Sequence, residues 1–281
     1  MDEQAEETVI FLHLPKTAGT TLHRILDREY PGSAVFTIGV DAHADIEQFY
    51  ELPEAELEQV QLLRGHMPFG LHEHLPQAAR YFTMLRDPIE RVISNYYYIR
   101  RSPEHYLYPT LQATGWDLAA LLHSQLPVML DNGQTRLLSG VWGDVGYGKM
   151  DESHLALAQR HLRDYFAVVG LQEQFDSSLL LMQKAFGWRR IEYRKRNVTQ
   201  NRPAQETLSA ETLAAIREAN LLDLQLYEYA RQLFRRQLRQ QGALFRARVR
   251  LFPLENRLRR RYWALRQVSL RQMIRERWEQ S

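Results

Sequence analysis

The sequence predicts an α/β fold in which a mainly parallel central sheet is flanked by helices, with a helical extension at the C-terminus. Short apolar segments bounded by turn residues alternate with segments of helical periodicity. A chain of 281 residues with 44% apolar residues is long enough to bury a full core. These observations predict one domain over residues 1–241 and an Arg-rich amphipathic helical tail over residues 242–281.

The first half of the chain shows the alternation of strands and helices most clearly. Apolar segments predict strands at residues 9–14, 34–38, 61–64 and 81–86. Helical periodicity predicts helices at residues 20–30 and 88–101. Asp87 as N-cap and Pro88 at the first helical position begin the second of these helices. An acidic segment, residues 41–58, predicts a helical excursion broken near Pro53.

The second half of the chain is predicted to be mainly helical. One further strand is expected at residues 166–171, after a loop at residues 103–115. Helices are expected at residues 117–124, 134–138, 152–165 and 174–186, and in a longer helical region that Ser209 begins. Beyond Gly242 the composition predicts an Arg-rich helix that breaks at Pro253.

A turn rich in hydroxyl groups follows the first predicted strand and opens the first helix. Its sequence is Pro15-Lys16-Thr17-Ala18-Gly19-Thr20-Thr21. Backbone N–H groups at a helix N-terminus lack partners and carry the positive end of the helix dipole, so they favour a bound anion. Lys16 adds a positive charge, the threonines offer hydroxyl donors, and Gly19 lets the backbone approach a ligand. A capped turn without a ligand is the alternative.

A second motif follows the strand predicted at residues 81–86, and its sequence is Arg86-Asp87-Pro88-Ile89-Glu90-Arg91-Val92-Ile93-Ser94. Arg86 ends the strand and Ser94 lies two turns inside the next helix, so a guanidinium and a hydroxyl can face one phosphate. Ordinary helix ion pairs of Arg91 are the alternative. Ligands of parallel α/β sheets bind beyond the C-terminal strand ends, where both motifs and His66 are expected.

Both motifs together resemble those of the sulfotransferases that use 3′-phosphoadenosine 5′-phosphosulfate (PAPS). The loop is not a Walker P-loop, in which the Lys follows the second Gly. The Arg86 motif is most similar to the branch that contains heparan sulfate 2-O- and 6-O-sulfotransferases, and the resemblance covers residues 9–235. It implies a P-loop-like three-layer fold and PAPS as sulfate donor without a metal. It also implies that residues 15–21 hold the 5′ end of the donor and that Arg86 and Ser94 hold its 3′-phosphate.

Sulfuryl transfer needs a base for the acceptor hydroxyl, charge relief on the leaving phosphate and in-line geometry. Lys16 suits the second role, since it can donate to the bridging oxygen as negative charge develops. His66 ends a predicted strand and is the predicted general base, and the glycan branch places a catalytic His after a comparable strand. Arg196 resembles a residue of the basic loop that closes over the nucleotide.

Five polar residues are candidates for contacts with the acceptor: His72, His74, Asn132, Gln134 and Arg136. A capped helix start is the alternative for the residues near Asn132, and an exposed surface is the alternative for the two histidines. Because these histidines and His66 lack helical i,i+4 spacing and a nearby fixed carboxylate, we expect no metal site. His13 is predicted to pack or to brace the loop.

We therefore expect in-line transfer of a sulfuryl group from PAPS to a hydroxyl of a carbohydrate or glycolipid, with a His as general base. One alternative is a small-molecule kinase with a variant P-loop, although the chain lacks a Walker Lys in the expected order. Another is a non-catalytic protein that binds a polyanion or a membrane through the tail. No nucleic-acid partner is expected, and a homo-oligomer is compatible with the sequence.

Charge is distributed unevenly along the chain. From Arg235 onward there are 14 Arg and 3 Glu, a net charge of +11 in a chain whose total is +2, so the preceding residues carry −9. The tail can lie on anionic lipid, contact a polyanion, or pack on the domain or on a second subunit, and we expect packing.

The chain has no Cys, which excludes disulfides and thiolate chemistry. Without a signal sequence or a long apolar run, we expect a cytoplasmic protein that is at most peripheral at the membrane.

Overall fold

Five parallel strands form the central sheet in the computed structural model, which describes residues 7–142, 144–194 and 208–278. Strands β1 to β5 are Thr8–Leu12, Val35–Ile38, Leu62–Gly65, Ala79–Leu85 and Phe166–Leu171. They lie in the order β2-β3-β1-β4-β5, and every neighbouring pair is parallel. The predicted α/β fold with a parallel sheet is confirmed.

The central position of β1 explains why all of its residues except Thr8 are apolar. Every residue of this strand is buried, as is typical of a strand covered on both faces. Ile10 lies opposite Leu63 of β3 and Tyr81 of β4. Phe11 stacks on Phe82 of β4 with ring centroids 4.7 Å apart. These contacts place the C-terminal end of β1 in the middle of the sheet edge.

Twelve α-helices surround the sheet in the described part of the chain. Helices α1 to α12 are Gly19–Glu29, Ala42–Tyr50, Glu54–Leu57, Pro88–Ile99, Tyr108–Thr114, Leu118–His123, Gly133–Ser139, Glu152–Asp164, Phe175–Phe186, Ala210–Ala219, Leu221–Arg239 and Ala243–Trp278. Short 3₁₀ turns lie between some of them. Asp87 accepts a hydrogen bond from the Glu90 N–H and caps α4, as predicted.

Two predictions about the helices are wrong. Helix α5 forms inside the segment predicted as a loop, because Pro109 lies in its first turn, where a missing N–H is harmless, and Gly115 ends it at φ 66°. Helix α12 runs through Pro253 instead of breaking there. A proline removes one hydrogen bond of a helix but need not end it, and the neighbouring Phe252 is fully buried in the core.

Two apolar cores hold the layers together. The larger core contains the sheet and the helices packed on it, including α9 and α11, which pack against β5. The smaller core joins α4, α5, α6 and α10. It contains the predicted apolar face of α4, namely Val92, Ile93, Tyr96 and Ile99. This helical layer stands beside the C-terminal edge of the sheet.

The first part of α12 packs on the domain. Phe252 belongs to the main core, and the Asn256 side chain accepts from the Tyr193 N–H at 2.8 Å and donates to the Tyr193 C=O at 3.0 Å. Over the ranges that the structure describes, no helix has the length and apolar character required to cross a bilayer. The division at residue 242 stays a prediction.

Candidate functional site

A large cleft lies at the C-terminal ends of the strands. Its volume is about 1700 Å³. The chain leaves β1 toward β2 on one side of the sheet and leaves β4 toward β5 on the other, so the crevice between β1 and β4 is a topological switch point. Ligands of open α/β sheets bind in such a crevice. The loop containing Lys16 follows β1 and Arg86 follows β4, so the two predicted motifs meet there.

The loop after β1 presents unpaired backbone donors. Within the described ranges, none of the backbone N–H groups of residues 16–20 donates to a protein acceptor. Lys16 and Ala18 have left-handed backbone conformations, with φ of 71° and 73°, which non-glycine residues rarely adopt. Such strain is typical of functional loops. The loop and the start of α1 therefore present fixed backbone donors of the kind that suit an anion.

Most residues of this loop line the cleft, but Thr17 does not. The lining includes Pro15, Lys16, Ala18, Gly19, Thr20 and Thr21. Thr17 is fully buried, and its hydroxyl donates to the Leu14 C=O at 2.7 Å. Its side chain therefore closes the loop from within, and we correct the expectation that it offers a hydroxyl to the ligand.

Gly19 is required for a steric reason, because the His13 ring occupies the space that a Cβ would need. A Cβ at this position would lie 1.8 Å from Nε2 of His13. The glycine therefore lets helix α1 begin directly against the His13 ring, in addition to lying at the cleft. A second glycine with little space around it is Gly65, the last residue of β3, which has φ 148° and where a Cβ would lie 2.1 Å from the Ile38 C=O oxygen. Gly65 thus allows the turn that leads to His66.

The side chain of Lys16 is held beside an aromatic ring. Its Nζ lies 4.2 Å from the centroid of Tyr98 on α4. Burial, together with the nearby Arg101 and Arg86, lowers the pKa of Lys16 to about 8. The ammonium is therefore protonated at neutral pH but incompletely solvated, a state that an incoming anion would stabilise.

Arg86 and Ser94 lie at the same cleft. Nη1 of Arg86 donates to the Lys16 C=O at 3.2 Å, and its Nη2 lies 3.3 Å from Glu90. This contact joins the loops after β1 and β4 directly. Ser94 is buried in α4 and lines the same cleft as Arg86. The guanidinium and the hydroxyl that are predicted to face one phosphate are therefore both cleft residues.

His66 is held in a defined tautomer. Its Nδ1 lies 2.6 Å from the His13 C=O, and a carbonyl only accepts, so Nδ1 carries the proton. The remaining nitrogen, Nε2, is then free to accept a proton. Burial and the nearby Lys16 lower the pKa of His66, so the ring is neutral at pH 7. His66 lines the cleft and has the protonation state of a general base.

His13 supports both His66 and the loop, in agreement with its predicted bracing role. Its ring stacks on His66 with centroids 4.2 Å apart, and its Nδ1 lies 3.2 Å from Nε2 of His23. Burial lowers the pKa of His13 well below the ordinary value and that of His23 to about 4.

In the described part of the chain, no group of three or more His, Asp or Glu side chains is arranged to hold a metal ion.

His105 also lines the cleft but has the opposite tautomer. Its Nδ1 accepts from the Leu107 N–H at 3.2 Å, so its proton lies on Nε2. A neutral His105 can donate a hydrogen bond from Nε2 but cannot take a proton there. This difference favours His66 over His105 as the base. Sequence reasoning did not identify His105, because no motif surrounds it.

The remaining walls of the cleft come from segments without a recognisable motif. Beyond β2 and at the end of α7 the wall includes Val40, Ala42, Leu137 and Trp142, and Trp142 lies edge-on to His43. Beyond β5 the wall is formed by residues 172–177 and Tyr193. The sheet order places the first wall beside β2 and β3 and the second beside β4 and β5.

The structure does not bring His72 and His74 to the cleft. They lie in a 3₁₀ turn, and Nδ1 of His72 lies 3.0 Å from the Tyr81 hydroxyl near the start of β4. Since Arg86 follows the end of β4, this turn is at the opposite edge of the sheet. The ring of His74 packs against Phe49 and Tyr50. The prediction that these residues contact the acceptor is therefore corrected.

Asn132, Gln134 and Arg136 are also absent from the cleft lining, because they are buried and hydrogen-bonded to the protein. Asn132 accepts from the backbone of α11, and Arg136 pairs with Asp131 at 2.9 Å. Gln134 accepts from the Arg86 N–H and donates to the Arg86 C=O, both at 3.0 Å. These residues build the polar core under the cleft, and Gln134 fixes the backbone of Arg86. Arg196 lies outside the described residues.

Comparison with known proteins identifies relatives over most of the chain. A family model described as galactose-3-O-sulfotransferase matches residues 1–274, which includes most of the tail that the motifs had left outside. Heparan-sulfate 6-O-sulfotransferase 1 of Cricetulus griseus is 26% identical over 89% of this chain and 72% of its own length. Galactose-3-O-sulfotransferase 3 of Homo sapiens is 26% identical over 84% of this chain and 58% of its own length.

Among solved structures, mouse sulfotransferase SULT7A1 complexed with PAP aligns with a TM-score of 0.38 and 16% identity, over 76% of this chain and 64% of that chain. The predicted resemblance to glycan sulfotransferases is confirmed by the sequence comparisons. The chain belongs to the galactose-3-O-sulfotransferase family.

Proposed function

We propose that this protein transfers a sulfuryl group from PAPS to a hydroxyl of a sugar. The observation that carries the proposal is the arrangement of Lys16, Arg86 and His66 at the ends of three neighbouring strands, β1, β4 and β3. The first two residues suit a nucleotide with phosphates at its 5′ and 3′ positions. The third is a neutral imidazole with an unprotonated nitrogen.

The donor half of the cleft is the part beyond β1, β4 and β5. The unpaired N–H groups of residues 16–20 and the hydroxyls of Thr20 and Thr21 are suited to the 5′ end of PAPS. Arg86 and Ser94 are suited to its 3′-phosphate. The donor supplies an activated sulfuryl group, and the protein's task is to position it and stabilise the leaving phosphate.

Transfer requires the acceptor oxygen to approach the sulfur opposite the leaving oxygen. Nε2 of His66 takes the proton of the acceptor hydroxyl, while the S–O bond to the leaving phosphate breaks and a new S–O bond forms. Lys16 stabilises the negative charge that develops on the departing oxygen. His66 follows β3 and Lys16 follows β1, which are adjacent strands, so base and cation can act on the two sides of one sulfur.

The acceptor half of the cleft is the part beyond β2 and β3, and we infer that it receives a sugar. Both sets of curated relatives are named for transfer to carbohydrate hydroxyls, either of heparan sulfate or of galactose. Trp142 lines the cleft, and its partly exposed ring gives a flat apolar surface for the C–H face of a sugar ring.

Two measurements test this proposal. Thermal unfolding with 3′,5′-adenosine bisphosphate (PAP) is expected to show a larger stabilisation than with 5′-AMP, since tighter binding to the native state stabilises it more. Equal shifts would contradict the 3′-phosphate site. Transfer from labelled PAPS should then be assayed on galactose-terminated oligosaccharides, heparan-type oligosaccharides and a simple phenol. Labelling of the phenol alone would contradict the sugar assignment.

A further inference from the structure

Helix α12 carries an exposed apolar surface that the fold leaves uncovered. Within residues 243–263, the part of α12 whose side chains the structure describes, five large apolar side chains are more than half exposed: Leu244, Leu251, Leu254, Leu258 and Tyr262. At 3.6 residues per turn these five positions fall within an arc of about 80° around the helix. We call them the apolar stripe. A stripe of this kind on a helix already docked to the domain is unusual for a surface in water.

The opposite side of α12 is fixed to the domain. Phe252 is fully buried, Asn256 is hydrogen-bonded to Tyr193, and the Arg190 guanidinium lies 4.4 Å from the Trp263 ring centroid. Rotation of the helix to bury the stripe would break these contacts. The apolar stripe is therefore displayed outward by the fold itself.

Arginines border the stripe on both sides. Residues 243–263 contain seven Arg and one Glu. On one side lie Arg246, Arg250, Arg257 and Arg261, all exposed. On the other side lie Arg248 and Arg259, both of which pair with the single acid, Glu255, at 3.1 and 2.9 Å. The exposed row of arginines thus has no acidic partner within this segment of α12.

We propose that this face of α12 binds an anionic lipid surface. Apolar side chains would enter the boundary between headgroups and acyl chains, while the flanking guanidinium groups contact phosphate and carboxylate headgroups. A second copy packed stripe to stripe would bring two arginine rows together, and the single acid of this segment, Glu255, is already paired with Arg248 and Arg259. A soluble polyanion would match the charge but would leave five apolar side chains in water. An anionic lipid surface satisfies both features, because it offers apolar chains and negative headgroups side by side.

The test uses the full chain and sedimentation with vesicles of phosphatidylcholine, with and without phosphatidylserine. Binding to the anionic vesicles, and not to the neutral ones, is expected, and added salt should weaken it. The double substitution Leu251→Ser with Leu258→Ser should weaken binding roughly 10-fold, and Arg250→Gln with Arg257→Gln by a similar factor. The matched controls are Leu221→Ser and Arg160→Gln, which are exposed on α11 and α8 and should bind normally.

Every substituted side chain is exposed, so thermal unfolding should be unchanged in all four variants. Failure to bind anionic vesicles would overturn the proposal. The Leu double variant could also bind dextran sulfate normally and bind anionic vesicles as well as the unsubstituted protein does. That result would identify a polyanion site instead. A dimer detected by light scattering and lost in the Leu double variant, without vesicle binding, would identify a second copy as the occupant. The sulfotransfer assay on soluble sugars is independent of all these outcomes, so failure of lipid binding and failure of the proposed function can be told apart.

Discussion

The donor and acceptor halves of the cleft are built in different ways. In the donor half, charged and hydroxyl groups come from two short motifs, each following one strand, and they contact each other through Arg86 and the Lys16 carbonyl. In the acceptor half, His66 follows β3, and the surrounding wall comes from separate segments near Val40 and Trp142. The first half is suited to one fixed anionic ligand, whereas the second offers a base beside an apolar surface.

This contrast indicates that one half of the cleft recognises phosphate and the other half recognises the acceptor. Phosphate recognition depends on backbone donors and fixed cations, which tolerate little variation in the loops that supply them. Recognition of a neutral acceptor depends on shape and apolar contact, which distant segments can supply. If the division is correct, substitutions in the donor half will change nucleotide affinity, and substitutions in the acceptor half will leave it unchanged.

The largest effect is expected for Lys16→Ala, which acts on both binding and chemistry. Loss of the ammonium removes a contact to the donor and the stabilisation of the leaving oxygen, so kcat/KM for PAPS should fall by about 10³ or more. Steady-state transfer assays measure this change. Lys149→Ala is the matched control because Lys149 is exposed outside the cleft. Near-normal turnover in the Lys16 variant would contradict the proposed role.

His66→Asn should lower kcat by about 10²–10³ while the protein stays folded. The Asn side-chain amide can still donate to the His13 C=O, but it cannot take a proton. Single-turnover transfer with bound PAPS reports the chemical step directly. His123→Gln, at an exposed position on α6, is the control. Glu104 is one of the carboxylates that line the cleft. If Glu104→Gln abolished transfer and His66→Asn did not, Glu104 would be the base.

Arg86→Ala should selectively weaken binding of nucleotides that carry a 3′-phosphate. Removing charge-assisted hydrogen bonds to a phosphate is expected to raise the Kd for PAP roughly 10- to 100-fold, with a much smaller change for 5′-AMP. Calorimetric titration of both nucleotides measures the ratio. An equal loss of affinity for the two would show that Arg86 supports the loop and does not contact the 3′-phosphate.

The pH dependence of kcat/KM for PAPS should separate the two halves. Lys16, with a pKa of about 8, loses its charge as the pH rises through 8, so activity should fall on the alkaline side. The pKa of His66 is lowered, so the base is protonated only below the ordinary histidine range and the acidic limb should lie there. Lys16→Arg should move the alkaline limb upward, since guanidinium keeps its proton. If the alkaline limb did not move in this variant, a group other than Lys16 would be responsible for it.

The smallest effect is expected for Trp142→Ala. Loss of an aromatic surface should raise KM for a sugar acceptor by about 3- to 10-fold without changing the affinity for PAP. The control is Trp116→Ala, which removes a tryptophan outside the cleft lining. Weaker PAP binding in the Trp142 variant would show that the halves are not independent.

The difference between the halves also explains what could be predicted from the sequence. Residues 15–21, Arg86 and Ser94 lie in local motifs whose spacing reflects a strand followed by a helix, so their location was predictable. His66 was predictable because it follows a strand. Trp142 and His105 reach the cleft through long-range packing, which leaves no local pattern.

Buried polar residues were the hardest to interpret. The segment from Asn132 to Arg136 has the composition of a ligand-binding turn, but its side chains satisfy buried partners that are distant in sequence. Asp223, for example, accepts from the Gln134 and Thr135 N–H groups and pairs with Arg91. Such pairings between distant segments cannot be read from one sequence. The cytoplasmic location stays a prediction.

The division between the halves is tested most directly by calorimetric titration of PAP into the His66→Asn variant. The proposed base lies in the acceptor half, so the Kd for PAP should equal that of the unsubstituted protein even though transfer is lost. Arg86→Ala, measured alongside, should bind PAP more weakly. If His66→Asn weakened PAP binding as much as Arg86→Ala does, His66 would belong to the nucleotide site and the proposed division of the cleft would be wrong.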